Sequence, residues 1–397
     1  MNTKIDFNNS SKAFVKKSNS QLYKSLWLFR LMKFPILVKI FSGITIIFLK
    51  IRFPIKTIIR KTIFEQFCGG ENLSETQKVV TGLKQSNIGS ILDYSVEGKN
   101  NSLDFEQTKT EVIEVIKLAQ KNHSIPYTCL KLSGIISAGS LEKLSTNQRL
   151  TLQEKGEYEK GTERLEEICN QAYTRDVPIY FDAEESWIQE PIDRLAEDMM
   201  RKYNKKKAII LTTLQMYRID RIDYLKFLLK IAKDENFFIG IKLVRGAYLE
   251  KENLRAEQLG YPSPIQISKN RTDSDFNKAI TICLENINRV TLCAGTHNEA
   301  STIHLLNEMS RLGIPNDNEN VYFSQLYGMS DHITYNLAAA NYNVTKYLPY
   351  GPIESVIPYL IRRAQENTAI AGQMGRELQL ITKERDRRAE QYLLKNI

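Results

Sequence analysis

From residue 90 onward, short apolar runs rich in β-branched and aromatic residues alternate with stretches of helical periodicity. The runs are SILDYS at 90, YTCLKLSG at 127, VPIYFDAE at 177, AIILTTLQMY at 208, FFIGIKLVRG at 237, RVTLCAGTHN at 289, VYFSQLYG at 321 and NVTKYLPYG at 343. Between them lie segments such as EQTKTEVIEVIKLAQ, LEEICNQAY and DYLKFLLKIA, whose apolar positions recur every 3.6 residues. Eight strand–helix units in about 290 residues have the count and length of a (β/α)8 TIM-like barrel, an α/β fold. A doubly wound open sheet is the alternative.

The polar positions carry the next step. A polar residue follows the apolar run in nearly every unit: Asp93, Lys131, Asp182, Gln215, Arg245, His297, Gln325 and Tyr347. Barrel enzymes draw their catalytic groups from that rim, where strand ends and βα loops converge. After the last strand comes YLPYGPIESVIPYLIRRAQEN. Ile353, Val356, Ile357, Leu360, Ile361 and Ala364 fall on one helical arc, and Tyr359, Arg362, Arg363 and Glu366 on the opposite one. Taken alone, that polar arc reads as a solvated face. As the eighth barrel helix, with its first turns beside the mouth, it gives the paired arginines a cavity to point into.

Composition narrows the chemistry. The chain has 397 residues and 42% hydrophobic content, enough for one large core and an accessory region. Its five cysteines are odd in number and form no CxxC pair, which indicates neither a disulfide framework nor a zinc site and fits a reducing compartment. The four histidines, at 123, 297, 304 and 332, have no ligand spacing, so no metal is expected. The formal net charge is +9, but residues 1–67 hold thirteen Lys and Arg against Asp6 and Glu65, a local +11 that leaves the other 330 residues near −2. A nucleic-acid enzyme with a basic working face is therefore disfavoured.

The basic segment contains LWLFRLMKFPILVKIFSGITIIFLKIRFPIKTIIRKTIF, whose longest charge-free run, between Lys39 and Lys50, is ten residues. That is short of the ~20 needed to cross a bilayer. Interleaved apolar and cationic residues suit either an anionic membrane surface or packing on the main domain. A transit peptide in the first 25 residues is a weaker option, since Arg is absent there. The expected organisation is a helical region over 1–87, a barrel over 88–380 and a charged helical tail over 381–397.

Arg362, Arg363 and Lys131 form a cationic set suited to a small carboxylate, because guanidinium groups bind it bidentately and keep their charge. Lys131 alone also fits a Schiff-base barrel aldolase. No GxGxxG follows a strand, which argues against a Rossmann nicotinamide site and leaves a barrel-bound flavin open, including a nicotinamide-fed flavin reductase. The residues by themselves give a barrel enzyme acting on a small carboxylate.

The motifs LDYSVE, LKLSG, FDAEE, LQMY, KLVRGAYLE, GTHN, QLYGMSD and YLPYG followed by RRxxEN occur in this order, one per barrel unit. In that set the sequence resembles the FAD-dependent proline dehydrogenases over about three quarters of its length. The resemblance implies oxidation of L-proline to 1-pyrroline-5-carboxylate with electrons passed to a quinone. It also implies a pyrroline-carboxylate dehydrogenase as the partner that takes the product. Arg362, Arg363 and Lys131 would clamp the substrate carboxylate, and Leu326, Tyr347, Tyr359 and Ala247 would pack its ring. Asp182 would order Lys131 and the region of the ring nitrogen. FAD would be held by Ala183, Gln215, Arg245, Gly246, Ala247, Tyr248, Lys269, Thr296, His297 and Glu366. Lys242 stands where some compact bacterial members carry Arg, near the reactive edge of the flavin, so a cation is kept and the forked geometry is lost. Location is expected to be cytoplasmic and peripheral, on the inner face of a bacterial inner membrane, with the mitochondrial inner membrane as the alternative.

Overall fold

Eight strands pair in parallel and in chain order: β1 (Ile88–Tyr94), β2 (Tyr127–Leu130), β3 (Ile179–Phe181), β4 (Ile210–Gln215), β5 (Ile239–Val244), β6 (Val290–Gly295), β7 (Val321–Leu326) and β8 (Val344–Tyr350). The barrel closes through β1 on β8, in register from Ile88–Val344 to Tyr94–Tyr350. This computed structural model describes residues 5–34, 36, 38, 43, 56–95, 101–369 and 371–395, with side chains described for all of these except 365–374 and 395. The predicted (β/α)8 architecture is the one observed, and the open-sheet alternative is excluded by closure.

Strand parity decides what fills the barrel. Successive side chains alternate between the interior and the surrounding helices. Ile91, Tyr127, Cys129, Tyr180, Leu211 and Cys293 form one buried cluster, with Tyr322 and Tyr347 packed against it. Tyr127 meets both Tyr180 and Tyr322 at ring-centroid distances of 4.8 Å. A further step of the same parity gives Asp93 on β1, Lys131 after β2, Asp182 after β3 and Thr213 on β4. The other face packs under the helices, where Ile116, Leu165, Ile192, Leu225, Phe276 and Leu305 are fully buried.

The lower end is sealed by hydrogen bonds. Asn204 is fully buried and accepts from Ile209 N (2.9 Å) and Ile210 N (2.8 Å). Its amide donates to Ile210 O (2.8 Å) and Phe238 O (3.0 Å), so it staples β4 to the chain entering β5 with both polar atoms satisfied.

The upper end is covered by helix Ile353–Ala369. Pro352 opens it, accepting at its carbonyl from Ser355 N (2.9 Å) and Val356 N (3.1 Å). Ile353, Val356, Ile357, Leu360 and Ala364 are buried against Phe29 and Met32 of helix Asn19–Met32, Phe64, Phe67, and Leu380 and Ile381 of helix Ala371–Lys395. The described part of the N-terminal segment thus packs on the covering helix. Arg388 reinforces the contact by donating to Phe14 O and Lys17 O, both at 2.8 Å. On the outer side, Tyr23, Trp27, Phe34, Ile36 and Ile58 remain exposed. Much of the apolar stretch singled out in the sequence lies outside the described residues. Among the described residues no helix is long and apolar enough to cross a membrane.

Candidate active site

With the apolar arc of the covering helix committed to its neighbours, the opposite arc turns to the barrel. Tyr359, Arg362 and Arg363 line the same cavity as Asp93, Lys131, Asp182, Ala183, Gln215, Lys242, Arg245, Gly246, Ala247, Tyr248, Lys269, Thr296, His297, Leu326 and Tyr347. Its volume is ≈ 1370 Å³ counting the open mouth. The arginines also lie over aromatic rings, Arg362 at 5.9 Å from the Tyr248 centroid and Arg363 at 5.5 Å from that of Tyr359. Every site residue picked from the sequence lines this cavity except Glu366, whose side chain lies outside the described residues.

At the floor is a buried ion pair. Lys242 Nζ on β5 donates to Asp182 Oδ1, and Tyr347 Oη on β8 donates to Asp182 Oδ2 at 2.5 Å. Burial pulls the Lys242 ammonium down, but the Asp182 charge outweighs it and leaves the pKa raised. The ammonium sits 5.1 Å from the centroids of both Tyr180 and Tyr347. Tyr347 is held well above its usual range by burial and by Asp182, so its hydroxyl stays protonated and donates. Asp182 is thus engaged by Lys242 and Tyr347, and the Lys131 charge acts to lower both Asp93 and Glu184. Register makes this pair: β5 brings Lys242 inward at the same depth as Asp182, a pairing across 60 residues of sequence.

A second carboxylate stands beside the first. Atoms of Asp93, Cys129 and Asp182 lie within 4.8 Å of one another. Burial raises Asp93, countered by Lys131 and reinforced by Asp182. Asp93 takes the hydroxyl hydrogen bond of Ser95. Sequence reading placed Asp93 on the rim and gave it no role; its proximity to Asp182 comes from barrel curvature, which no local motif records. Thr213, Val244, Asn298, Ser324, Gln325 and Met329 also line the cavity without having been singled out as site residues. Strand parity finds Thr213, two residues before Gln215.

One wall is built from backbone. Ala247 N donates to Gln215 Oε1 (3.1 Å), and Gln215 Nε2 donates to Glu184 O (2.7 Å). Gly246 has φ +138, and a Cβ there would stand 2.5 Å from the Tyr217 ring. Only glycine lets the chain pass at this point. Arg245 is held by Asp273 and Thr296 (both 2.6 Å) and Ser301 (2.8 Å), which fixes the β5 loop. Lys269 bonds Asp273 Oδ2 at 2.5 Å. His297 Nδ1 lies 2.9 Å from Ser330 Oγ, and burial drives its imidazole down to about 3, so the ring is neutral.

With this geometry set, sequence comparison decides the family. The profile described as Proline dehydrogenase matches residues 76–376. The chain belongs to the proline dehydrogenase family. It is 31% identical over 433 aligned residues to proline dehydrogenase 1, mitochondrial, of Dictyostelium discoideum, covering 98% of this chain and 76% of that one. It is 34% identical to the carbapenem antibiotics biosynthesis protein CarD of Pectobacterium carotovorum subsp. carotovorum, covering 81% and 83%. To the hydroxyproline dehydrogenase of Xenopus laevis it is 29% identical, covering 94% and 88%. Among solved structures, proline utilization A from Bdellovibrio bacteriovorus inactivated by N-propargylglycine superposes with a TM-score of 0.70 at 18% identity, over 91% of this chain and 36% of that one. At that identity the likeness is one of fold, and this chain spans about a third of the larger protein. Family membership makes the barrel a proline-oxidising enzyme, which sets aside the aldolase and nicotinamide-fed readings.

The floor pair yields a stability test. Lys242→Met leaves the Asp182 carboxylate buried with only Tyr347 of its two partners, and denaturant unfolding should show a loss of about 3–5 kcal/mol. Adding Asp182→Asn should recover a large part of it, since the uncompensated charge is then gone. Additive losses in the double variant would show that the two side chains are not coupled.

Proposed function

We propose that this barrel oxidises L-proline to 1-pyrroline-5-carboxylate with FAD bound in the cavity and a quinone as final acceptor. The observation that carries the reading is the convergence of Lys131, Arg362 and Arg363 above the Asp182–Lys242–Tyr347 floor. Three cations facing one small space fit a carboxylate. The apolar and aromatic side chains of Leu326, Ala247, Tyr347 and Tyr359 fit a saturated five-membered ring.

What supports a flavin in the remaining space is the character of its wall. Gly246 carries this wall past the Tyr217 ring as bare backbone, and Thr213 Oγ1 in the lining is buried without a protein partner among the described residues. Ala183, Gln215, Arg245, Gly246, Ala247, Tyr248, Lys269, Thr296 and His297 would hold it, Lys242 would lie toward its reactive edge, and Glu366 is assigned to it by family resemblance alone. When bound, the flavin supplies a two-electron acceptor for hydride.

The protein's part in the reaction is position and charge. Oxidation takes a hydride from C5 of the ring and a proton from the ring nitrogen. Lys131 and the arginines would fix the carboxylate, and Tyr347 would press the ring against the acceptor side. Asp182 is already shared by Lys242 and Tyr347, so it serves as a fixed negative charge near the nitrogen rather than a free base. The nitrogen must therefore arrive with its lone pair available, and the rate should rise with pH as the amine loses its proton.

The reduced enzyme must pass on two electrons, and the exposed Tyr23, Trp27, Phe34, Ile36 and Ile58 beside Lys24, Arg30, Lys33 and Lys56 suit an anionic lipid surface where a quinone is dissolved. We assign the enzyme a peripheral place on the inner face of a bacterial inner membrane. The mitochondrial names of several relatives make the mitochondrial inner membrane the alternative. A pyrroline-carboxylate dehydrogenase would consume the product.

Two measurements test this reading. Arg362→Met or Arg363→Met removes a charge-assisted partner of the carboxylate worth about 1.5–3 kcal/mol, so KM for proline should rise about 10- to 150-fold with the fold intact. Unchanged KM in both would return the arginines to a structural role. For the membrane, sedimentation with anionic phospholipid vesicles should fall several-fold for Trp27→Glu and with added salt. Equal sedimentation of the variant, or none by the unmodified chain, would remove the lipid contact.

A further inference from the structure

We propose that Glu184 is a positioning residue that sets Lys131 in register with the other strand ends of the substrate rim. It stands two residues after Asp182 and is 4% exposed, deeper than a carboxylate is normally found. Both side-chain oxygens are used on one neighbour: Oε1 accepts from Ser133 N at 2.9 Å, and Oε2 accepts from Ser133 Oγ. Ser133 belongs to the short turn Leu132–Gly134 that directly follows Lys131.

The backbone of Glu184 is tied as well. Its N–H donates to Gln189 Oε1 (2.7 Å), and its carbonyl accepts from Gln215 Nε2 (2.7 Å), whose Oε1 in turn takes the N–H of Ala247. One residue thus links the ends of β2, β3 and β4 and, through Gln215, the loop after β5. The positions it joins are Lys131, Ala183, Gln215 and Ala247, each of which lines the cavity. A surface carboxylate making one ion pair would leave no such pattern.

The bidentate grip on Ser133 has a specific consequence. Lys131 has a long side chain with rotamer freedom, so the direction of its ammonium depends on the backbone from which it projects. Removing the Glu184 carboxyl frees the turn by two hydrogen bonds and leaves the strand itself paired through β1 and β3. The carboxyl is pushed up to about 7 by burial, against the lowering pull of Ser133 and Lys131, and the acid form still accepts from Ser133 N while donating to Ser133 Oγ. The tether therefore survives protonation.

The inference rests on the reading that Lys131 binds the substrate carboxylate, and the experiment separates the two. Dissociation constants of the flavin-loaded full chain for a saturated five-membered ring carboxylate lacking the amine are measured by calorimetry. The unmodified enzyme is compared with Glu184→Ala, Ser133→Ala and Lys131→Met, and with each of the first two combined with Lys131→Met. Glu184→Ala should weaken binding roughly tenfold and Ser133→Ala a few-fold, the scale of one or two lost hydrogen bonds. Both effects should vanish in the Lys131→Met background. Weakening of the same size with and without Lys131, or no weakening in either variant, would overturn the proposal. If Glu184→Ala does not fold, Ser133→Ala carries the same comparison. Unchanged affinity in Lys131→Met would remove the carboxylate reading itself, and this proposal with it.

Discussion

Closure of a parallel sheet on itself is the constraint from which the site follows. Once β8 pairs with β1, all inward side chains share one interior, and the interior is filled by Ile91, the tyrosines and the small Cys129 and Cys293 up to a definite height. Above that layer the same parity continues with Asp93, Lys131, Asp182 and Lys242. These groups cannot turn outward without moving their strands by one residue, which would expose the whole apolar face. Polar chemistry at the mouth is therefore fixed by the same alternation that builds the core.

Burying charge at that depth is unfavourable unless each group is answered. Asp182 is answered twice, by Lys242 and Tyr347, and this defines a negative point held without mobility. Lys131, Arg362 and Arg363 stand above it with aromatic faces beside the arginines. A ligand that brings a carboxylate at one end and a nitrogen at the other completes both halves. The covering helix supplies two of the cations and is held down by apolar contacts to the helices at either end of the chain, so the cationic lining of the cavity and N-terminal packing depend on one element.

The strands and their order were legible because each run is short, β-rich and separated by helical periodicity, and because the motif set occurs in barrel order. Arg362 and Arg363 were legible as a polar arc opposite Val356 and Leu360. What escaped was long-range: Lys242 was read as a substitution beside a flavin, but its contact with Asp182 depends on the stagger of β5 against β3. Glu184 was invisible within FDAEE because its partners lie in other barrel units, Ser133 in the turn after β2 and Gln215 at the end of β4. The burial of the covering helix under Phe29 and Phe67 was also hidden, since an apolar basic segment reads the same whether it meets protein or lipid.

Under the proposed function, one cavity holds proline by its carboxylate while a hydride leaves its ring. The most direct measurement is an anaerobic titration of the flavin-loaded protein with L-proline, followed in the visible spectrum with the product quantified. The oxidised flavin band should be lost, with one pyrroline carboxylate formed per flavin and no nicotinamide required. A band that persists at saturating proline, or that bleaches only when a reduced nicotinamide is added, would contradict it.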